Sequence, residues 1–231
     1  MNMNVKYTTI LFDLDDTILD FSATEKNSLP RVFSRFGYDF DAERQMVYEK
    51  ENRALWNAFE RGEITLDTVL DSRFYLTMKH FETEVDGHEW DLYYRSLLSE
   101  GLEVVDGARE LCEKLYGKYR LFIVTNGVET TQLSRLSRTG FDKFFEDVFI
   151  SQRIGCRKPE KGFFDYVKSH IKDFCEEETL IVGDSLSTDI SGGKAAGLDT
   201  CLFDGKHRYG GNGDIKPTFV IHTLSELCEI L

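Results

Sequence analysis

The chain is 231 residues long, 41% hydrophobic and 30% charged, enough to bury one large core or a core plus a smaller module. A formal net charge of −13 argues against binding a nucleic acid polymer or an anionic membrane through a broad basic face. The five cysteines, at positions 112, 156, 175, 201 and 228, form no CxxC pair, the histidines show no HExxH spacing, and no apolar run approaches a signal or membrane segment, so a soluble cytoplasmic protein with free thiols is expected.

The first predicted strand lies in YTTILFDLDDTILD, an apolar run that ends at Asp13, Asp15 and Thr17. Two carboxylates at a strand's mouth cost free energy unless a cation or a shared proton compensates, so the spacing reads as a divalent-metal site with a nucleophile or an acid/base group beside it. From Leu19 to Gly101 no strand is expected. Helical patterns run instead over Thr24 to Phe36, Ala42 to Arg61, Leu66 to Phe81 and His88 to Leu98. A crossover between parallel strands needs only a dozen or more residues, so this segment is read as an inserted helical module of roughly 80 residues.

The remainder alternates. Strands are predicted over Arg120 to Thr125, Asp147 to Ser151, Leu180 to Gly183, Thr200 to Phe203 and Phe219 to Ile221. Helical stretches are predicted over Gly107 to Tyr116, Glu129 to Arg138, Lys161 to His170 and Thr188 to Ala196, with Gly140 and Gly197 as stops. Such alternation implies an α/β fold, a mostly parallel Rossmann-like sheet with helices on both faces. Three further polar clusters fall beside these strands. LFIVTNG ends in Thr125 and Asn126, whose hydroxyl and backbone N–H groups could hold phosphate oxygens. Lys158 precedes Pro159 and a helix, where a fixed ammonium could face an anion. LIVGDSLSTD delivers Asp184 and Asp189 to a strand's carboxyl end. Singly these read as a helix cap, a loop lysine and a helix start; together they are what the crevice rule for open α/β sheets expects of a ligand site. The stretch GKHRYGGNGDIKPTF lacks a phosphate-loop signature and is expected to be a surface loop before an edge strand.

The series DxDxT, apolar run then Thr, Lys before Pro, and GDxxxxD, spread from Ile10 to about Phe203, resembles the haloacid dehalogenase superfamily of aspartate-nucleophile phosphatases and phosphotransferases. The resemblance implies a catalytic core over 1–18 and 103–231 with an α-helical cap inserted over 19–102, a Mg2+ cofactor and a small phosphomonoester as partner, with a monomer favoured. It implies Asp13 as nucleophile and Asp15 as general acid and base. Thr17 would orient Asp15 and stand with Thr125, Asn126 and Lys158 in the phosphate-binding set. Asp13, Asp184 and the backbone carbonyl of Asp15 would hold the metal, and Asp189 would orient Lys158 or a metal-bound water. Asp16 is expected to be an exposed turn residue and Asp20 to be structural, at the hinge into the cap. Asp15 together with Asp184 favours phosphoryl chemistry over carbon–halogen cleavage; a phosphomutase and a binding protein without turnover are the lesser alternatives.

Substrate choice falls to the cap. Tyr48, Asn52, Leu55 and Phe59 share one stripe of a helix, and Asn52 lies one turn from Trp56. An amide among aromatics could read a nucleobase edge while a ring stacks on its face; ordinary cap packing is the competing reading. The string N-x-x-L-W followed by GEIT, with RLxRTGF after the second cluster, resembles the pyrimidine 5′-nucleotidase branch. That implies hydrolysis of nucleoside 5′-monophosphates such as dUMP and dTMP; phosphatases of sugar phosphates and of phosphoglycolate share the architecture and form the alternative.

Overall fold

All four residues of β1 (Thr9–Phe12) are buried, as expected of a strand in the middle of a sheet covered on both faces. The protein is described by a computed structural model over residues 6–211 and 213–231; residues 1–5 of the expected core and residue 212 of the glycine-rich loop lie outside the described residues. The other strands are β2 (Arg120–Thr125), β3 (Asp147–Ile150), β4 (Thr179–Gly183), β5 (Asp199–Phe203) and β6 (Phe219–Ile221). They pair in parallel in the order β3-β2-β1-β4-β5-β6. The chain thus builds outward from β1 on one side and then crosses to build outward on the other. The crevice between the carboxyl ends of β1 and β4 is the switch point where such sheets bind ligands.

Alternation along the strands divides the core into two layers. Ile10 and Phe12 of β1 join Leu121, Ile123, Leu180 and Val182 on one face, under α5 (Ala108–Leu115), α6 (Glu129–Thr139) and α10 (Leu227–Ile230). Leu11 joins Phe122, Val124 and Ile181 on the other, under α8 (Lys161–His170). The expected stops Gly140 and Gly197 both take positive φ, 68° and 79°, which glycine adopts without a Cβ penalty.

Two predicted elements differ from what forms. Ser151 does not extend β3 but opens the short helix α7 (Ser151–Ile154). The helix expected from Thr188 is instead a wide turn over Leu186–Ile190, in which Ile190 N donates to Ser185 O at 3.1 Å, and only then α9 (Ser191–Ala195). The run Ser191, Gly192, Gly193 propagates a helix poorly, and wide turns of this kind concentrate at functional sites.

The chain divides into two compact units: the sheet unit, up to Phe21 and from Leu102 onward, and a helical unit, Ser22–Gly101. The helical unit holds most of α1 (Phe21–Arg35) with α2 (Ala42–Glu60), α3 (Leu66–Lys79) and α4 (Gly87–Ser99). Its core is aromatic: Phe74 packs against Phe33, Tyr48, Trp90 and Tyr94. Inside it Arg73, on α3, makes a buried ion pair with Asp91, whose second oxygen accepts from Arg95 at 2.6 Å. Within the sheet unit, the outgoing and returning strands of the insertion are tied together. Leu19 bridges antiparallel to Val104, Asp20 N donates to Glu103 O and Val105 N to Ile18 O, each at 3.1 Å.

Candidate active site

Asp13 follows β1 directly, and its N–H continues the ladder to Val182 O at 2.8 Å, so the side chain is delivered by a buried central strand of the sheet. It meets Lys158, whose ammonium donates to Asp13 Oδ1 at 2.6 Å, Asp189 Oδ1 at 2.6 Å and Val124 O at 2.7 Å. Three donors meet three acceptors, so a side chain only 1% exposed is fully satisfied. Burial by itself would lower the Lys158 pKa, but the Asp13 and Asp189 charges and their hydrogen bonds outweigh it and hold the group protonated. Asn126 fixes the backbone of Lys158 from both sides: its Nδ2 donates to Lys158 O and its Oδ1 accepts from Lys158 N, both at 2.9 Å.

Asp189 spends its other oxygen on Ser185 N at 3.1 Å, closing the wide turn onto itself. A Cβ on Gly183 would sit 2.3 Å from the Asp189 carboxyl, so only glycine leaves room for it at the end of β4. Asp13, Asp184 and Asp189 offer carboxylate oxygens within 4.8 Å of one another. Three carboxylates face one ammonium. Burial, then the Asp189, Asp184 and Asp15 charges, push the Asp13 pKa up against the pull of Lys158. Asp184 is an exposed residue, yet enough protein surrounds its carboxyl that burial, followed by Asp189 and Asp16, raises its pKa to about 7. Uncompensated charge on hard oxygen donors is the chemistry of a divalent-cation site. With both Asp189 oxygens already engaged, Asp13 and Asp184 are the carboxylates left for a cation.

Asp15 is held differently from what the sequence suggests. Thr17 is fully buried and its Oγ1 has no hydrogen-bond partner among the described residues, Asp15 included, so its hydroxyl does not orient Asp15. Residues of α6 do: Arg135 Nη1 pairs with Asp15 Oδ1, and Gln132 Nε2 donates to Asp15 Oδ2 at 2.6 Å. Gln132 Nε2 also donates to Thr125 Oγ1 at 3.0 Å, and the same hydroxyl accepts from Gly127 N at 3.1 Å. Sequence reasoning assigned no role to Gln132 or Arg135, although Arg135 opens the RLxRTGF string. The available signal was their position, since with Thr131 and Leu136 they make up the buried stripe of an amphipathic helix, where a glutamine and an arginine are out of place.

Asp16 is a turn residue, as expected, but not an exposed one. It is half-buried, adopts φ 56° and pairs with Lys206 at 2.9 Å. With Asp184, Asp20, Arg208 and His222 it lines a cavity of about 400 Å³. Asn52 and Trp56 lie on α2 of the helical unit, so they belong to a different unit from the acidic cluster. Trp56 packs edge-on against Phe59, centroids 5.7 Å apart, and Asn52 Oδ1 is buried without a hydrogen-bond partner among the described residues.

A sequence model of the family described as haloacid dehalogenase-like hydrolase matches residues 10–203. The chain is 42% identical to YfnB of Bacillus subtilis, described as a HAD-hydrolase, over 98% of this chain and 96% of that one. A crystal structure of YfnB bound to magnesium superposes with a TM-score of 0.93, covering 98% of this chain and 99% of that chain. The pyrimidine 5′-nucleotidase PynA of Streptococcus pneumoniae is 33% identical over 97% of this chain and 95% of its own. The pyrimidine 5′-nucleotidase YjjG of Escherichia coli is 31% identical over 98% and 99%.

Proposed function

The chain belongs to the haloacid dehalogenase-like hydrolase family, and from that premise we propose that it is a magnesium-dependent phosphomonoesterase that acts through Asp13 and prefers nucleoside 5′-monophosphates, pyrimidine deoxyribonucleotides such as dUMP and dTMP among them. The observation that carries the reading is the Lys158 ammonium shared by Asp13 and Asp189 at 2.6 Å each, at the switch point of the sheet and beside Thr125. A carboxylate nucleophile, a fixed cation and a hydroxyl beside backbone N–H groups are the parts phosphoryl transfer needs.

Asp13 attacks phosphorus while the bond to the leaving oxygen breaks and that oxygen takes a proton from Asp15. Asp15 then takes a proton from the water that attacks the aspartyl-phosphate, freeing phosphate and regenerating Asp13. Thr125 and the backbone N–H of Asn126 grip the phosphoryl oxygens, and Lys158 opposes their charge. Asp13, Asp184 and the backbone carbonyl of Asp15 would hold a Mg2+ ion, whose chemistry here is to neutralise the repulsion between an anionic ester and an anionic nucleophile. The carboxylate of Asp15 is turned to α6, which agrees with its carbonyl, not its side chain, serving the metal.

The helical insertion acts as the cap that excludes water and selects the leaving group. The buried Oδ1 of Asn52, without a hydrogen-bond partner among the described residues and one helical turn from Trp56 on α2, supports recognition of a base N–H there, and two of the relatives are named for pyrimidine nucleotide hydrolysis. Phosphate release from a panel of monophosphates, with and without magnesium, tests the reading. dUMP and dTMP are expected to lead the panel and chelation to abolish release. Sugar phosphates outpacing both by a wide margin would refute the nucleotide assignment in favour of a sugar-phosphate phosphatase.

A further inference from the structure

We propose that Gln132 and Arg135 are positioning residues for Asp15, holding its carboxylate so that a proton passes between it and the ester oxygen; the proposal rests on the phosphomonoesterase reading above. Both carboxylate oxygens are occupied by donors from one helix, Arg135 Nη1 on Oδ1 and Gln132 Nε2 on Oδ2. A short acidic side chain after a strand has several rotamers open to it, and two donors on one rigid element select a single one.

The donors are themselves locked. Arg135 and Gln132 are 0% and 2% exposed, and Arg135 Nη1 also donates to Gln132 Oε1 at 3.3 Å. The Gln132 amide nitrogen bridges Asp15 and Thr125, so one group ties the proton-transfer residue to the residue that grips the phosphoryl oxygens. Gly127 leaves the space for it: a Cβ there would lie 2.2 Å from Gln132 Nε2.

The arginine makes the strongest case. Among the described residues its buried Nε and Nη2 have no hydrogen-bond partner, so the guanidinium spends its donors on the Asp15 site and not on the surrounding fold. The nitrogen it does use faces Asp15 and Gln132 alone among the described residues. The guanidinium is otherwise supported by the Phe21 ring, 5.5 Å from its centroid.

The test compares two esters by kcat/KM, which reports the step in which Asp13 is phosphorylated and the leaving oxygen departs. The deoxyribose oxygen of dUMP needs a proton to leave; the phenolate of p-nitrophenyl phosphate does not. For Arg135→Met, kcat/KM on dUMP is expected to fall about thirtyfold, part of the hundredfold or more that general acid catalysis supplies, and on p-nitrophenyl phosphate by less than about threefold. Arg135→Lys is expected to recover part of the loss. In an Asp15→Asn background, Arg135→Met is expected to cost nothing further, because its effect runs through Asp15. Gln132→Leu, close in volume, carries the same comparison if Arg135→Met does not fold. Equal losses on both esters, or a further loss in the Asp15→Asn background, would overturn the proposal. A wild-type protein that releases phosphate from neither ester overturns the phosphomonoesterase reading itself, and this inference with it.

Discussion

Replacing Lys158 with methionine removes the ammonium while nearly preserving side-chain volume, so the packing of the site is retained and its charge is not. In magnesium-free protein Asp13 and Asp189, each 2.6 Å from the lost nitrogen and 7% and 1% exposed, are left as buried carboxylates with no cation between them. Breaking a buried ion pair by removing one partner costs about 3–5 kcal/mol. For a chain of this length that corresponds to a fall in Tm of about 6–20 °C. The deficit has a signature. Protonating one carboxylate lets the two share a proton, so the gap to wild type should be widest at about pH 7.5 and shrink toward about pH 5. Thermal unfolding followed by circular dichroism at both pH values, with phosphate release measured in parallel, makes the comparison. A variant as stable as wild type at the higher pH, or a deficit that does not change with pH, would show that Lys158 is not the counter-ion on which this cluster depends.

Asp13→Asn keeps the shape of the proposed nucleophile but not its charge, and turnover of the preferred monophosphate is expected to fall at least about a thousandfold in a phosphate-release assay. Asp184 has its pKa raised from the ordinary 3.8 to about 7 by burial and by Asp189 and Asp16, so the folded state binds that proton more tightly than the unfolded chain does. Its contribution to stability is therefore full at low pH and lost as pH rises through about 4 to 7; with chelator present, Tm should drop across this window and magnesium should restore it at the upper end, and a Tm that rises instead would contradict the charge assignment. Gly183→Ala places a Cβ 2.3 Å from the Asp189 carboxyl and should displace it from Lys158, lowering turnover about a hundredfold with the far-UV spectrum unchanged. Asp91→Ala should cost the helical unit about 3–5 kcal/mol in chemical denaturation, because Arg73 is left buried without its partner.

Much of the sheet and most of the polar cluster were legible because each polar group follows an apolar strand at once in sequence. Asp13, Thr125 and Asp184 need no knowledge of packing to be placed at a carboxyl end; the strand places them. Lys158 was legible only as one charge ahead of a helix, and its threefold partnership with Asp13, Asp189 and Val124 is a property of the assembled sheet. The support of Asp15 was not legible. Thr17, two residues away, looked like the partner, but the backbone turn buries it with its hydroxyl idle, and the partners come from 117 and 120 residues downstream. Helical spacing showed which face of α6 is buried without showing what chemistry that face would meet. Asp16 taught the same lesson in reverse: its left-handed backbone and its pairing with Lys206 depend on a loop 190 residues away.

The paired backbone at Ile18 to Asp20 and Glu103 to Val105 makes the 80-odd residues between them a detour that departs and rejoins at one spot. The strand that carries Asp13 therefore pairs with β2 and β4 whatever the detour contains. Under the proposed reading, exchanging that detour for another helical graft should alter which monophosphates are turned over while attack by Asp13 stays the same.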